Sequence, residues 1–174
     1  MGILFCGARR ARAPGEDGKS AYLVPADADA ARIHINGYPV ATLYGNLGKI
    51  PAKSITVVLE ACFSGVSQAG SLLGKTSPVG IRIKRPAIPD NITLISAGAV
   101  NQVATWEQDS SHSLFTKYFL MGMSGEADAK PYGNGDGRVA LKELKATLGD
   151  TMTYFARRYY GRDQDAQIVV GGSR

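Results

Sequence analysis

Apolar and polar residues follow two rhythms along this chain, and each marks a different kind of element. The run Ile55-Thr56-Val57-Val58-Leu59 is short, β-branched and nearly continuous in its apolar character. A strand covered on both faces reads this way, because neither side-chain direction meets water. The run stops abruptly at Glu60-Ala61-Cys62-Phe63-Ser64-Gly65. A second such run, Ile92 to Ala97, follows Pro89-Asp90-Asn91 and stops at Gly98. Ile3 to Cys6 and Ala21 to Val24 are weaker strand candidates, the latter closed by Pro25.

The second rhythm is helical. Tyr38 to Leu47 carries Val40, Leu43, Tyr44 and Leu47 at helix spacing, and Ser113 to Met123 carries Leu114, Phe115, Tyr118, Phe119 and Met121. Leu141 to Phe155 repeats the pattern with Leu141, Leu144, Leu148, Met152 and Phe155. Strands alternating with helices predict an α/β unit with a mostly parallel sheet. In such sheets chemistry collects beyond the carboxyl ends of the strands, which is where Cys62 falls, just after Leu59. Ser67 to Pro89 is rich in Gly, Ser, Lys and Pro and has little periodicity. It predicts a long exposed loop, of the kind that is usually functional or mobile.

Composition narrows the classes. At 174 residues and 44% apolar content the chain is the size of one domain, 1–174, able to fill a core. No apolar run approaches the roughly 20 residues of a membrane-spanning helix, and Met1-Gly2-Ile3-Leu4-Phe5 is too short for the hydrophobic part of a signal peptide. The expectation is a soluble chain without a membrane partner, cytoplasmic by default. The net charge of +5 is scattered, apart from Arg9-Arg10-Ala11-Arg12, Arg82 to Arg85 and Arg157-Arg158. A nucleic-acid partner is therefore not expected, since such a binder gathers its cations on one face among aromatics. Cys6 and Cys62 lie in unlike surroundings and no Cys/His cluster has zinc-ligand spacing, so neither a disulfide framework nor a zinc site is expected.

A cysteine at the end of a buried strand, followed by the small residues Ser64 and Gly65, is held on rigid backbone and left accessible, as nucleophiles usually are. On placement alone Cys62 reads equally well as a buried small hydrophobe. The motif around it adds to this. Glu60-Ala61-Cys62-Phe63-Ser64-Gly65 resembles the Asp-Ala-Cys-(His/Phe)-Ser-Gly signature of bacterial caspase-like peptidases and metacaspases. Ala21 to Asp29 is similar to that family's Tyr-Leu-Val-Pro-x-Asp segment. Leu94-Ile95-Ser96-Ala97, Gln102-Val103-Ala104 and His112-Ser113-Leu114-Phe115-Thr116 resemble its later blocks, in the same order. The resemblance runs from about Ala21 to about Val170 and implies a three-layer α/β/α sandwich, of which this chain would be the C-terminal two-thirds without the N-terminal strands. Loss of those strands is expected to leave sheet edges exposed.

The resemblance further implies a cysteine endopeptidase in which Cys62 attacks the peptide carbonyl and its own backbone N–H helps hold the oxyanion. Glu60, two residues earlier, would share its face along a strand. It would line a pocket for a basic side chain, so that cleavage follows Arg or Lys. Ser96 and Ala97 correspond to the strand end that flanks the substrate in the family; tight packing beside Gly98 explains them equally well.

The family's base is the departure. A thiol needs an imidazole to take its proton, and in caspases that histidine lies roughly 50 residues before the cysteine. Here the corresponding stretch, Ile3 to Arg12, has the apolar strand but reads Gly7-Ala8-Arg9 where the family has Gly-His-Gly. Residues 1–20 therefore read as an altered remnant of the histidine motif, and suitable codons read one nucleotide later would restore Gly-His-Gly. His34 matches no catalytic position and reads as a half-exposed strand or loop residue; His112 reads as a capping or packing residue. The alternative function is a non-catalytic caspase-like scaffold that binds a peptide or dimerises.

One further motif has part of a metal-binding pattern. Asn134, Asp136, Gly137 and Glu143 fit the third, fifth, sixth and twelfth places of a calcium loop, but the first place would be Tyr132, which supplies no carboxylate. A Gly-rich turn into the helix at Leu141 is the expectation, with no metal and no cofactor.

Overall fold

A computed structural model of the chain describes residues 2–7, 13–14, 20–25, 28–29, 32–60, 66–67, 70–71, 86–99, 102–109 and 111–172. Strand β1 (Gly2–Gly7) is followed by the short β2 (Ala13–Pro14) and β3 (Ala21–Leu23). Helix α1 (Ile33–Asn36), β4 (Tyr38–Pro39) and helix α2 (Val40–Gly48) lead to β5 (Ile55–Glu60). After β6 (Val66–Ser67) and β7 (Gly70–Ser71) come β8 (Ile92–Ser96), helices α3 (Leu114–Met121), α4 (Leu141–Leu148) and α5 (Tyr154–Tyr160), and β9 (Gln167–Val170).

The main sheet has the order β1-β5-β8-β9. β1, β5 and β8 are mutually parallel, with Gly2 to Gly7 beside Ile55 to Glu60 and Ile55 to Leu59 beside Ile92 to Ser96. β9 runs antiparallel along β8. The chain is thus a mixed α/β protein, as the two rhythms predict. Val57, Val58 and Leu59 are fully buried although adjacent side chains point to opposite faces, so both faces of β5 are covered. Val57 and Leu59 pack with Ile92, Leu94 and with Val40 and Tyr44 of α2. Val58 and Ile95 pack with Leu114, Phe115, Leu144, Leu148, Met152 and Ala156, from α3, α4, α5 and the π-helical turn between the last two. Burying each such side chain contributes roughly 1.5–3 kcal/mol before the entropy of ordering it is counted.

Several elements differ from the pattern reading. Tyr38 and Pro39 do not open the helix: they pair antiparallel with Leu23 and Tyr22, and the helix begins at Val40 because Pro39 keeps Tyr38 before it out of the helical region and itself holds an extended ψ of 129°. The Leu141-to-Phe155 pattern is real but continues to Tyr160, passing through a π-helical segment, Gly149–Thr153. It ends at Gly161, whose φ of 61° is left-handed and suits glycine. The segment expected as the 67–89 loop begins with a two-stranded hairpin, Val66 beside Ser71 and Ser67 beside Gly70, and 72–85 lie outside the described residues. His34 is exposed on α1 rather than in a strand or loop. No helix among the described residues is long and apolar enough to cross a membrane.

Candidate functional site

The rim where the parallel strands end is the place to look, and the register defines it. Gly7 pairs with Glu60 and Leu59 with Ser96, so the three strands finish level with one another. The strand ends Gly7, Glu60 and Ser96 therefore lie side by side at this rim. Residues 61–65, with Cys62, lie outside the described residues, as do 8–12, expected from the sequence to be the remnant of a histidine motif.

Glu60 ends β5 on the Val58 face, and its half-buried carboxylate meets the first turn of α3. There the Thr116 hydroxyl donates a hydrogen bond to Glu60 Oε2. That turn is itself anchored: Ser113 is the N-cap, its Oγ accepting from Thr116 N at 3.0 Å. Leu114 N donates to Thr105 O at 3.0 Å. His112, expected as a capping or packing residue, is exposed, and the side-chain cap is its neighbour Ser113.

Ser96 and Ala97 are both buried, but strand alternation separates them. Ala97 belongs to the cluster that holds Val58 and Ile95, on the Glu60 face, whereas Ser96 points the other way. Ser96 Oγ donates to Gly98 O at 3.4 Å. Ala97 N donates to Leu59 O at 3.1 Å, and its carbonyl accepts from Gln164 Nε2 at 2.9 Å. The structure thus brings Glu60 and Ala97 to one face of the rim and turns Ser96 from it.

Periodicity did not mark the polar network behind this rim. Gln164 is fully buried, and its Oε1 accepts from Thr105 N at 2.8 Å and from Thr105 Oγ1 at 2.6 Å. Gln102 Oε1 accepts from Ala99 N and from Asp165 N, each at 2.9 Å, while its Nε2 donates to Asp165 Oδ2 at 2.7 Å. Thr153 Oγ1 donates to Gln164 O at 2.8 Å. These bonds fasten the segment leaving β8 to the segment entering β9. A lone Gln in Arg162-Asp163-Gln164-Asp165 carries no local signal of burial.

The calcium-like loop is organised by a residue outside the motif. Asp128 accepts from Gly135 N at 2.9 Å, Asp136 N at 3.1 Å and Gly137 N at 2.8 Å. Asp136 accepts from Arg138 N and Asn134 Nδ2. Glu143 Oε2 accepts from Ala140 N at 2.9 Å, serving the start of α4. These carboxylates are bonded to the protein itself, and no group of three or more His, Cys, Asp or Glu among the described residues could hold a metal ion.

Elsewhere, Lys117 Nζ lies 2.8 Å from Glu107 Oε1, and the neighbouring Tyr118 hydroxyl is pushed up to about 12, chiefly by burial and then by the charge of Glu107 and by Tyr159. In comparison with known proteins, the chain matches no family model and no curated protein sequence.

Proposed function

We propose that the chain is a cysteine endopeptidase of caspase-like architecture, with Cys62 as nucleophile and a peptide cut after a basic residue as substrate. On this reading α2 covers one face of the sheet and α3 to α5 the other, forming three layers. The observation that carries it is the level ending of β1 and β5 as parallel neighbours. It supports the peptidase reading because the altered histidine motif follows one strand and Cys62 the other. A nucleophile and its base need this closeness, however far apart they are in sequence.

In the reaction, the Cys62 thiolate adds to the peptide carbonyl and the oxyanion is held by backbone N–H groups, each such donor contributing on the order of 3 kcal/mol. The thiol's proton passes to solvent water and the amine leaves with one taken from solvent; water then hydrolyses the thioester to release the acid and restore the thiol. The proton-accepting step is the weak one, because Ala8 and Arg9 stand where an imidazole is needed. Slow turnover is therefore expected.

The test is labelling of the full chain with a peptidyl acyloxymethyl ketone ending in lysine, read by mass spectrometry. Labelling of Cys62 faster than that of a simple thiol at equal pH, abolished in Cys62→Ser, supports the peptidase. Labelling no faster than a simple thiol's favours the second reading, a non-catalytic scaffold of the same fold. The absence of a histidine from Gly7-Ala8-Arg9, where the resemblance expects Gly-His-Gly, favours that second reading.

A further inference from the structure

Resting on the peptidase reading, we propose that Thr116 sets the site's choice between basic side chains, favouring lysine over arginine before the cut bond. The reason lies in which Glu60 oxygen is already engaged. Thr116 donates its hydroxyl proton to Glu60 Oε2. The donor cannot easily withdraw, because Ser113 caps its turn and Leu114 and Phe115 beside it are fully buried. Among the described residues the ion pairs are Arg32 with Asp29, Lys117 with Glu107 and Arg157 with Asp163, and none of them involves Glu60.

A carboxylate with both oxygens open takes a guanidinium through two parallel bonds, and that fork is the source of arginine's advantage. With Oε2 already accepting from the threonine hydroxyl, the bond that a guanidinium makes to that oxygen is weakened and its direction restricted to the remaining lone pair. An ammonium is a compact point charge with three rotatable donors and binds one oxygen as well as two. Thr116 is thus a positioning residue: it acts on the substrate through Glu60, and it lowers the value of the fork without removing the charge.

The experiment compares three acyloxymethyl ketone probes, ending in lysine, arginine and glutamine, by their rates of Cys62 labelling in the full chain. In the unaltered protein the lysine probe is expected to react roughly fivefold faster than the arginine probe, less than the tenfold that one charge-assisted hydrogen bond provides. Thr116→Val frees Oε2 and is expected to bring the ratio to about one or below, whereas Thr116→Ser keeps the hydroxyl and the original ratio. Glu60→Gln slows both basic probes against the glutamine probe. Melting curves of each variant separate loss of fold from loss of preference. A lysine-to-arginine ratio that is no greater than one in the unaltered protein, or that is unchanged by Thr116→Val, overturns the inference while leaving the peptidase standing. If no probe labels Cys62 faster than a simple thiol, the peptidase reading itself fails and the inference goes with it.

Discussion

Gln164 bonds through both ends of its amide, to Thr105 on one side and to Ala97 on the other, at sequence separations of 59 and 67 residues. Truncation to alanine leaves the Thr105 N–H and the Ala97 carbonyl without this partner in a site that water does not reach, and it opens a cavity. Gln164→Ala is expected to lower stability by about 3 kcal/mol, measured by urea unfolding at equal slope. Tyr118 makes a different prediction. Its ionisation is raised to about 12, so the folded state keeps the phenolic proton longer than the unfolded chain does. The stability this group contributes is then fully present below pH about 10 and is lost as pH climbs through about 12. Absorbance titration near 295 nm should show a tyrosine ionising near pH 12, and Tyr118→Phe should remove that step. Gln164 was not legible beforehand, since it breaks every hydrophobic rule; Tyr118 was legible as part of the apolar face of α3, but its shift was not, because its charged neighbour, Glu107, comes from outside the helix.

At the scale of elements, the β-branched runs of β5 and β8 were legible because a strand buried on both faces has almost no polar residue to hide. Helices α3 and α4 were legible because Leu114, Phe115, Tyr118 and Phe119, and likewise Leu144 and Leu148, recur on one face. What escaped were β2, α1, β4, β6, β7 and β9, of two to four residues each, too short to establish a period. The loop at 134–137 shows the difference between a motif and its geometry. Its spacing resembles a calcium loop, yet its centre is Asp128, four residues before the motif's first place. Asp128→Ala removes the acceptor of three backbone N–H groups. The expected loss is about 2 kcal/mol, with faster amide hydrogen exchange at Gly135, Asp136 and Gly137, and millimolar calcium should not restore protection.

Across the whole molecule, the sheet places β1 and β9 at its two edges among the described residues, so the two strands that precede residues 8–12 and Cys62, β1 and β5, include one edge strand. Alternation of apolar and polar residues was enough to say that strands and helices interleave, that β5 and β8 are buried, and that Cys62 follows a strand end. Burial period is a local property, written into each segment before it meets any other. Which strand lies beside which, that Ser96 turns from the face Glu60 and Ala97 share, and that Thr116 reaches a carboxylate 56 residues away are outcomes of folding. They depend on partners brought together over loops whose entropy rises only slowly with length, and no local spacing encodes such a meeting.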